Sequence, residues 1–146
     1  MARICWIEDA EEHVEDMRAH LAGVLKHQVH VMRNCDQVVA LMTKPVLPYD
    51  LFIVDLWLPY ENKSVIPIQL REDPTRRGLW LVGQLHEAIR RLKLAIPIIV
   101  LSGNLDLDTK EFVNQKLDSR LTRLLDKPAD FDSTLQLIDE MLKVDH

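Results

Sequence analysis

The segment DLFIVDLWLP, from Asp50 to Pro59, constrains the fold more than any other stretch of the chain. Leu51 to Val54 is a continuous apolar run in which Ile53 and Val54 are β-branched. It is too short for a helix and fits a strand buried on both faces. The run stops at a carboxylate, Asp55, and Pro59 prevents a regular continuation. Open α/β sheets bind their ligands beyond the carboxyl ends of the strands. An acid at such a tip is therefore a candidate to hold a metal or to be chemically modified. An ordinary polar strand end is the alternative, and the tips of the other strands decide between the two.

Four further strand-like runs surround it. Arg3 to Ile7 reads as a buried strand followed at once by Glu8 and Asp9. Gln28 to Met32 alternates and suits an edge strand. Ile96 to Leu101 is a buried strand ending in Ser102, Gly103 and Asn104, with Pro97 tolerated near its start. Leu121 to Leu125 ends in Asp126, Lys127 and Pro128.

Helical patterns separate these runs. Val14, Met17, Leu21, Val24 and Leu25 recur at three- and four-residue steps behind the acids Glu11, Glu12, Glu15 and Asp16, which suit a helix N-terminus. Asn34 or Asp36 caps a second helix containing Val38, Leu41 and Met42 that stops before Pro45. Gly78 opens a third, with Val82, Leu85, Ile89 and Leu92 on one face. A fourth covers Thr109 to Leu117. A fifth starts near Asp130 or Asp132 with Phe131, Leu135, Ile138 and Leu142 on one face. Strands alternating with helices define an α/β fold of three layers, with a parallel sheet covered on both sides.

A chain of 146 residues fits one domain over residues 1–146. Aromatic residues make up only 5%, so the core must rest on Leu, Ile and Val. A net charge of −5 argues against a nucleic-acid surface, which needs a basic face. No apolar run is long enough to suggest a membrane span, and no signal-peptide pattern opens the chain. The expectation is a soluble, cytoplasmic protein whose two cysteines, Cys5 in an apolar run and Cys35 in a polar connection, stay free thiols. No C-x-x-C spacing exists for a thiolate zinc site. The six histidines form no ligand motif and read as surface residues.

In a parallel sheet the carboxyl ends share one edge, so Glu8, Asp9, Asp55, Ser102 and Lys127 converge there. Clustered carboxylates repel by roughly 4 kcal/mol per pair at an effective dielectric of about 20. A hard divalent cation relieves that repulsion, and all-oxygen ligation favours Mg²⁺. Lys127 adds a compact positive charge and Ser102 a donor for a phosphoryl oxygen, while Gly103 leaves room. Together these are the parts for in-line phosphoryl transfer to a carboxylate.

The ordered set (Glu8 and Asp9, Asp55 with Pro59, Ser102 after an apolar strand, Lys127 with Pro128) resembles the response-regulator receiver domains of two-component signalling, those like the chemotaxis regulator. Each piece alone is common; their order over nearly the whole chain carries the resemblance. It implies a flavodoxin-like fold with five helices and strand order 2-1-3-4-5. By position it implies Asp55 as phosphoacceptor, Ser102 as switch hydroxyl and Lys127 as the contact to the phosphoryl oxygen. Mg²⁺ would be held by Asp9, Asp55 and the Trp57 backbone carbonyl, with Glu8 acting through water. The donor would be a histidine kinase or a histidine phosphotransfer protein, and the output binding to a downstream protein. Because the last helical pattern closes near Lys143, no separate output domain is expected unless the chain is a fragment of a longer regulator.

Three departures from that pattern stand out. Residues 60–77 lengthen the connection before Gly78 and form either a plain surface insertion or a partner surface or lid, with Arg71, Arg76 and Arg77 available to an acidic partner. Leu124 stands where many receivers carry a switch aromatic. Trp57, two residues past Asp55, either packs over the strand end or shields the site from water. Phosphohydrolases with a carboxylate nucleophile commonly place an acid at that position, so turnover of external phosphoesters is not expected. A receiver-like interaction scaffold acting without phosphorylation is the alternative reading.

Overall fold

The computed structural model describes residues 1–103, 107–118, 120–127 and 130–143, and only the backbone of Glu11, His13, Leu107 and Asp108. Asn104, Pro128 and His146 lie outside the described residues, as does the side chain of His13. The strands are β1 (Arg3–Ile7), β2 (Gln28–Met32), β3 (Leu51–Asp55), β4 (Ile98–Ser102) and β5 (Thr122–Asp126), and they form one parallel sheet in the order β2-β1-β3-β4-β5. The helices are α1 (Glu11–Gly23), α2 (Cys35–Met42), α3 (Pro74–Arg91), α4 (Leu107–Lys116) and α5 (Phe131–Leu142). The fold is the three-layer α/β arrangement expected from the alternating pattern, with the flavodoxin-like strand order that the resemblance implied.

Strand alternation sorts the core into two layers. Ile4, Trp6, Leu51, Ile53, Ile99 and Leu101 face α1 and α5 and pack with Val14, Met17, Leu21, Ile138 and Met141. The intervening residues, among them Cys5, Ile7, Phe52, Val54, Ile98 and Val100, pack with side chains of α2, α3 and α4. Every residue of β3 and β4 is buried, which is why both read as continuous apolar runs. The edge strand β2 alternates.

Several boundaries differ from the sequence expectation. Helix α3 begins at Pro74, one turn before Gly78, because Asp73 accepts the Arg76 N–H and Pro74 occupies the first turn. Gly78 lies inside the helix, where a Cβ would stand 2.1 Å from the Leu56 carbonyl oxygen. Glycine there is a matter of clearance: it lets α3 press onto the peptide that follows Asp55. Helix α1 ends at Gly23, so Val24 and Leu25 are exposed rather than part of its apolar face. In α5 the buried stripe is Thr134, Ile138 and Met141, with Phe131 turned outward beside His20. Cys35, expected in a polar connection, is fully buried as the first residue of α2, and both cysteines are free.

Candidate functional site at the carboxyl edge of the sheet

Asp55 is the last residue of β3 and is 5% exposed. Glu8 follows β1 and is 1% exposed; Asp9 beside it is exposed. One ligand oxygen from each of Glu8, Asp9 and Asp55 lies within 4.8 Å of the others. Lys127, directly after β5, donates from Nζ to Glu8 Oε1 at 3.0 Å and to Asp55 Oδ2 at 3.2 Å. Groups from β1, β3 and β5 thus meet across the sheet edge, two strands apart on either side of β4 in the case of Asp55 and Lys127.

Burial by itself would lower the Lys127 pKa. The hydrogen bond to Glu8 and the charges of Asp55 and Glu8 outweigh it and hold the ammonium above its ordinary value. Because the carboxylates are buried and the lysine largely so, this triad is coupled far more tightly than an exposed ion pair.

Ser102 ends β4 fully buried, and its carbonyl accepts the Lys127 backbone N–H at 2.9 Å. The pairing Asp55 with Leu101 puts Ser102 one residue beyond the Asp55 row, on the next strand. Gly103 is exposed, with open space where a side chain would stand. The chain thus brings Glu8, Asp9, Asp55 and Lys127 into one cluster, while Ser102 ends the neighbouring strand with the parity of Ile98 and Val100, the layer facing α2, α3 and α4.

The Trp57 backbone N–H donates to Asp55 Oδ1 at 3.1 Å, so both oxygens of Asp55 have a donor. Its ring does not pack into the core; it is 57% exposed, and the indole N–H donates to Thr75 Oγ1 at 3.2 Å. Leu124 is partly buried against the α2, α3 and α4 layer.

The connection after Pro59 is tied down. It holds two 3₁₀ turns, Lys63–Val65 and Ile68–Leu70, before α3 begins. The Asp36 carboxylate accepts the backbone N–H groups of Glu61 and Asn62, each at 2.9 Å. Arg77 is 8% exposed, donates to the Leu58 carbonyl at 3.3 and 3.1 Å and to the Arg71 carbonyl at 2.7 Å, and stacks on Tyr60. Arg71 in turn donates to the Ile66 carbonyl. Arg71 and Arg77 are therefore internal fasteners, not the partner-facing cations that the sequence invited; Arg76 alone of the three remains exposed without a side-chain partner among the described residues. Sequence reasoning gave Arg77 and Asp36 other roles, a partner-facing cation and a helix cap, and missed Thr75. Asp73 followed by Pro74 was the available signal, since it starts α3 early enough to put Arg77 on an inward-facing turn.

The described histidines do structural work: His27 accepts the Ala2 N–H, His30 contacts the Tyr49 hydroxyl and His86 accepts the Asp118 N–H.

This arrangement is the fold of the response-regulator receiver domains. The chain is similar to the non-phosphorylated HemR receiver domain from Leptospira biflexa, with 18% identity and a TM-score of 0.73 over 100% of this chain and 98% of that one. It is also similar to the signal receiver domain of an HD domain-containing protein from Pseudomonas fluorescens Pf-5, with 19% identity and a TM-score of 0.70 over 97% and 94% of the two chains. A third similar structure is the receiver domain of the sensor histidine kinase PA1611 from Pseudomonas aeruginosa PAO1, with 18% identity and a TM-score of 0.63 over 98% of each chain; that structure has a magnesium ion coordinated in its active-site cleft. No protein-family model matches the sequence. No curated protein matches it either. Among the described residues no helix is long and apolar enough to cross a membrane.

Proposed function

We propose that residues 1–146 act as one receiver module of a phosphorelay in the cytoplasm, with Asp55 accepting a phosphoryl group from a phosphohistidine on a kinase or phosphotransfer protein. The observation that carries this reading is the Lys127 ammonium bridging Glu8 and Asp55 with Asp9 alongside. A polar strand end has no need of three carboxylates and a cation drawn from three strands.

The donor set is all oxygen and lies open at Asp9, which fits a hard divalent cation such as Mg²⁺. Asp9, Asp55 and the Trp57 carbonyl would hold it, with Glu8 acting through water. When bound, it would neutralise charge on the phosphoryl oxygens. One Asp55 oxygen attacks phosphorus, the phosphorus–nitrogen bond to the donor imidazole breaks, and the electron pair returns to that ring. Lys127 sets a positive charge where the anionic phosphoryl group must approach, and Ser102, at the end of the neighbouring strand, would turn its hydroxyl to the phosphoryl group as a donor. The phosphorylated state then changes binding to a downstream protein.

The test is intact-mass spectrometry after incubation with Mg²⁺ and acetyl phosphate. The parent should gain one phosphoryl group; Asp55→Asn, or addition of a chelator, should abolish the gain. A parent that stays unmodified under those conditions, while purified histidine kinases also fail to label it, would leave only a scaffold role.

A further inference from the structure

Helices α3 and α4 diverge around a trough of about 510 Å³, open to solvent, on the layer opposite α1 and α5. Its walls are unusually aromatic for this chain: Trp80 and Phe112 are only partly buried, flanked by Leu79 and Leu117. Leu70, from the second 3₁₀ turn of the inserted connection, closes one end, so the insertion builds part of the wall.

The trough owes its shape to Gly83. Glycine is disfavoured in the interior of a helix such as α3. Here the Phe112 ring edge lies 3.3 Å from where a Cβ would stand, so the ring leans onto the α3 backbone and leaves space beside it.

Among the described residues the rim carries two unpaired cations, and its one carboxylate is already paired. Arg76 on α3 and Lys116 on α4 are exposed, and neither side chain has a hydrogen-bond or ion-pair partner among the described residues. Glu87, also at the rim, is held by Arg90 at 2.7 Å. This cationic rim belongs to a chain of net charge −5, so any attraction for acid is local to the trough.

We propose that the α3–α4 trough is a docking site for an amphipathic helical segment of a partner protein, with acidic side chains flanking its apolar face. An apolar floor with partly buried aromatic rings and exposed cations at its rim is the pattern for a helix laid in a groove. Rim charges of one sign select the complementary sign on the partner. The proposal stands on the trough and its rim, and holds whether or not Asp55 is phosphorylated.

The test selects displayed random peptides of roughly 16 residues, about four helical turns, on the full chain. Enriched peptides should carry apolar residues at three- and four-residue spacing with Asp or Glu beside them. Binding should shift the NMR signals of the Trp80 indole, Gly83 and Lys116. Arg76→Glu combined with Lys116→Glu, both on exposed side chains, should weaken the acidic peptides by about tenfold or more and favour their Lys-substituted counterparts. Circular dichroism of that double variant checks that it is folded. Enriched peptides that are basic or neutral, affinities indifferent to the charge reversal, signal shifts on another face, or no peptide enrichment would each overturn the proposal. So would a trough that takes up a small anionic aromatic probe such as anilinonaphthalene sulfonate while peptides fail to compete.

Discussion

Lys127 and Arg77 are both drawn out of solvent, and they are satisfied in opposite ways. Lys127 is met by two carboxylates from distant strands. Arg77 is met by main-chain carbonyls of Leu58 and Arg71 and by the Tyr60 ring, with no carboxylate in ion-pair range among the described residues. The ammonium is a point charge on a flexible stem, suited to exchange one anionic partner for another. The guanidinium is a planar fork whose separate N–H groups fit carbonyls at fixed angles. The first cluster is thus one that a ligand can rearrange; the second is a fastener that keeps residues 60–73 in place beside it.

The largest effect that would break this contrast is on Lys127. Lys127→Ala should slow phosphoryl incorporation from acetyl phosphate by about 10²–10³-fold, the usual loss when one preorganised charge at a reacting centre is removed. It also leaves Glu8 and Asp55 facing one another, so thermal unfolding should show Mg²⁺ stabilising the variant more than the parent. Equal stabilisation of both would mean that Lys127 is not what balances the acids.

Next in size is Arg77→Ala, expected to cost about 2–4 kcal/mol in urea unfolding, since it removes several bonds to buried carbonyls at once. Arg77→Lys should recover little of this, because one ammonium cannot serve Leu58 and Arg71 in the same geometry. Proteolysis should begin within residues 60–73. Phosphoryl incorporation should stay within about threefold of the parent, if fastening and chemistry are separate roles.

The two regions were unequally legible in the sequence. The meeting of Glu8, Asp9, Asp55 and Lys127 could be read because each lies at the end of a short apolar run, and a parallel sheet has only one carboxyl edge on which to collect them. Glu8, Asp55 and Lys127 also share the side-chain parity of Ile4, Leu51 and Leu125, the layer facing α1 and α5. The Arg77 fastener was hidden because its partners are backbone carbonyls, which no residue letter announces. An arginine beside Asp73 and Arg76 looks like a solvated charge until the helix start is moved to Pro74. Gly78 was misread for a related reason: a glycine near a helix start resembles a boundary, whereas its job is to clear the Leu56 carbonyl. In α5 the apolar letters Phe131, Leu135 and Leu142 drew the stripe away from Thr134 and Met141, which the packing buries instead.

Alkaline pH probes the fastener through Cys35, whose thiol lies 3.8 Å from the Leu58 carbonyl that Arg77 also holds. Burial pushes its pKa from 9.0 to about 11, against the lowering effect of Arg77. Cys5 is pushed by burial from 9.0 to about 12. The folded state therefore keeps both protons where the unfolded chain releases them, and stability is full below pH 9 and falls as pH rises above it. At pH 10 each thiol accounts for a loss on the order of 1 kcal/mol. Cys35→Ala should remove a little under half of the pH 9-to-10 decline in urea unfolding, with Cys5 and Tyr49, whose phenol burial also raises above 10.0, carrying the rest. Lys127, raised above 10.5, adds its own loss only beyond that pH, so the interval from pH 9 to 10 reads the buried thiols without it.

The smallest effect, and the sharpest test of the contrast, is at Asp36. Its two oxygens each accept one N–H, from Glu61 and Asn62, where the inserted connection runs past the start of α2. Asp36→Asn keeps one acceptor oxygen and turns an amide N–H₂ toward the other donor, so one of the two bonds is lost. The expected cost is about 1 kcal/mol in global stability, the typical loss for one side-chain cap of backbone donors. Hydrogen exchange should localise it: the Glu61 and Asn62 amides lose protection while those of β3 do not. Phosphoryl incorporation at Asp55 should be unchanged. If it falls together with that protection, the insertion is part of the reacting centre, and the division into a rearrangeable cluster and a fixed fastener fails.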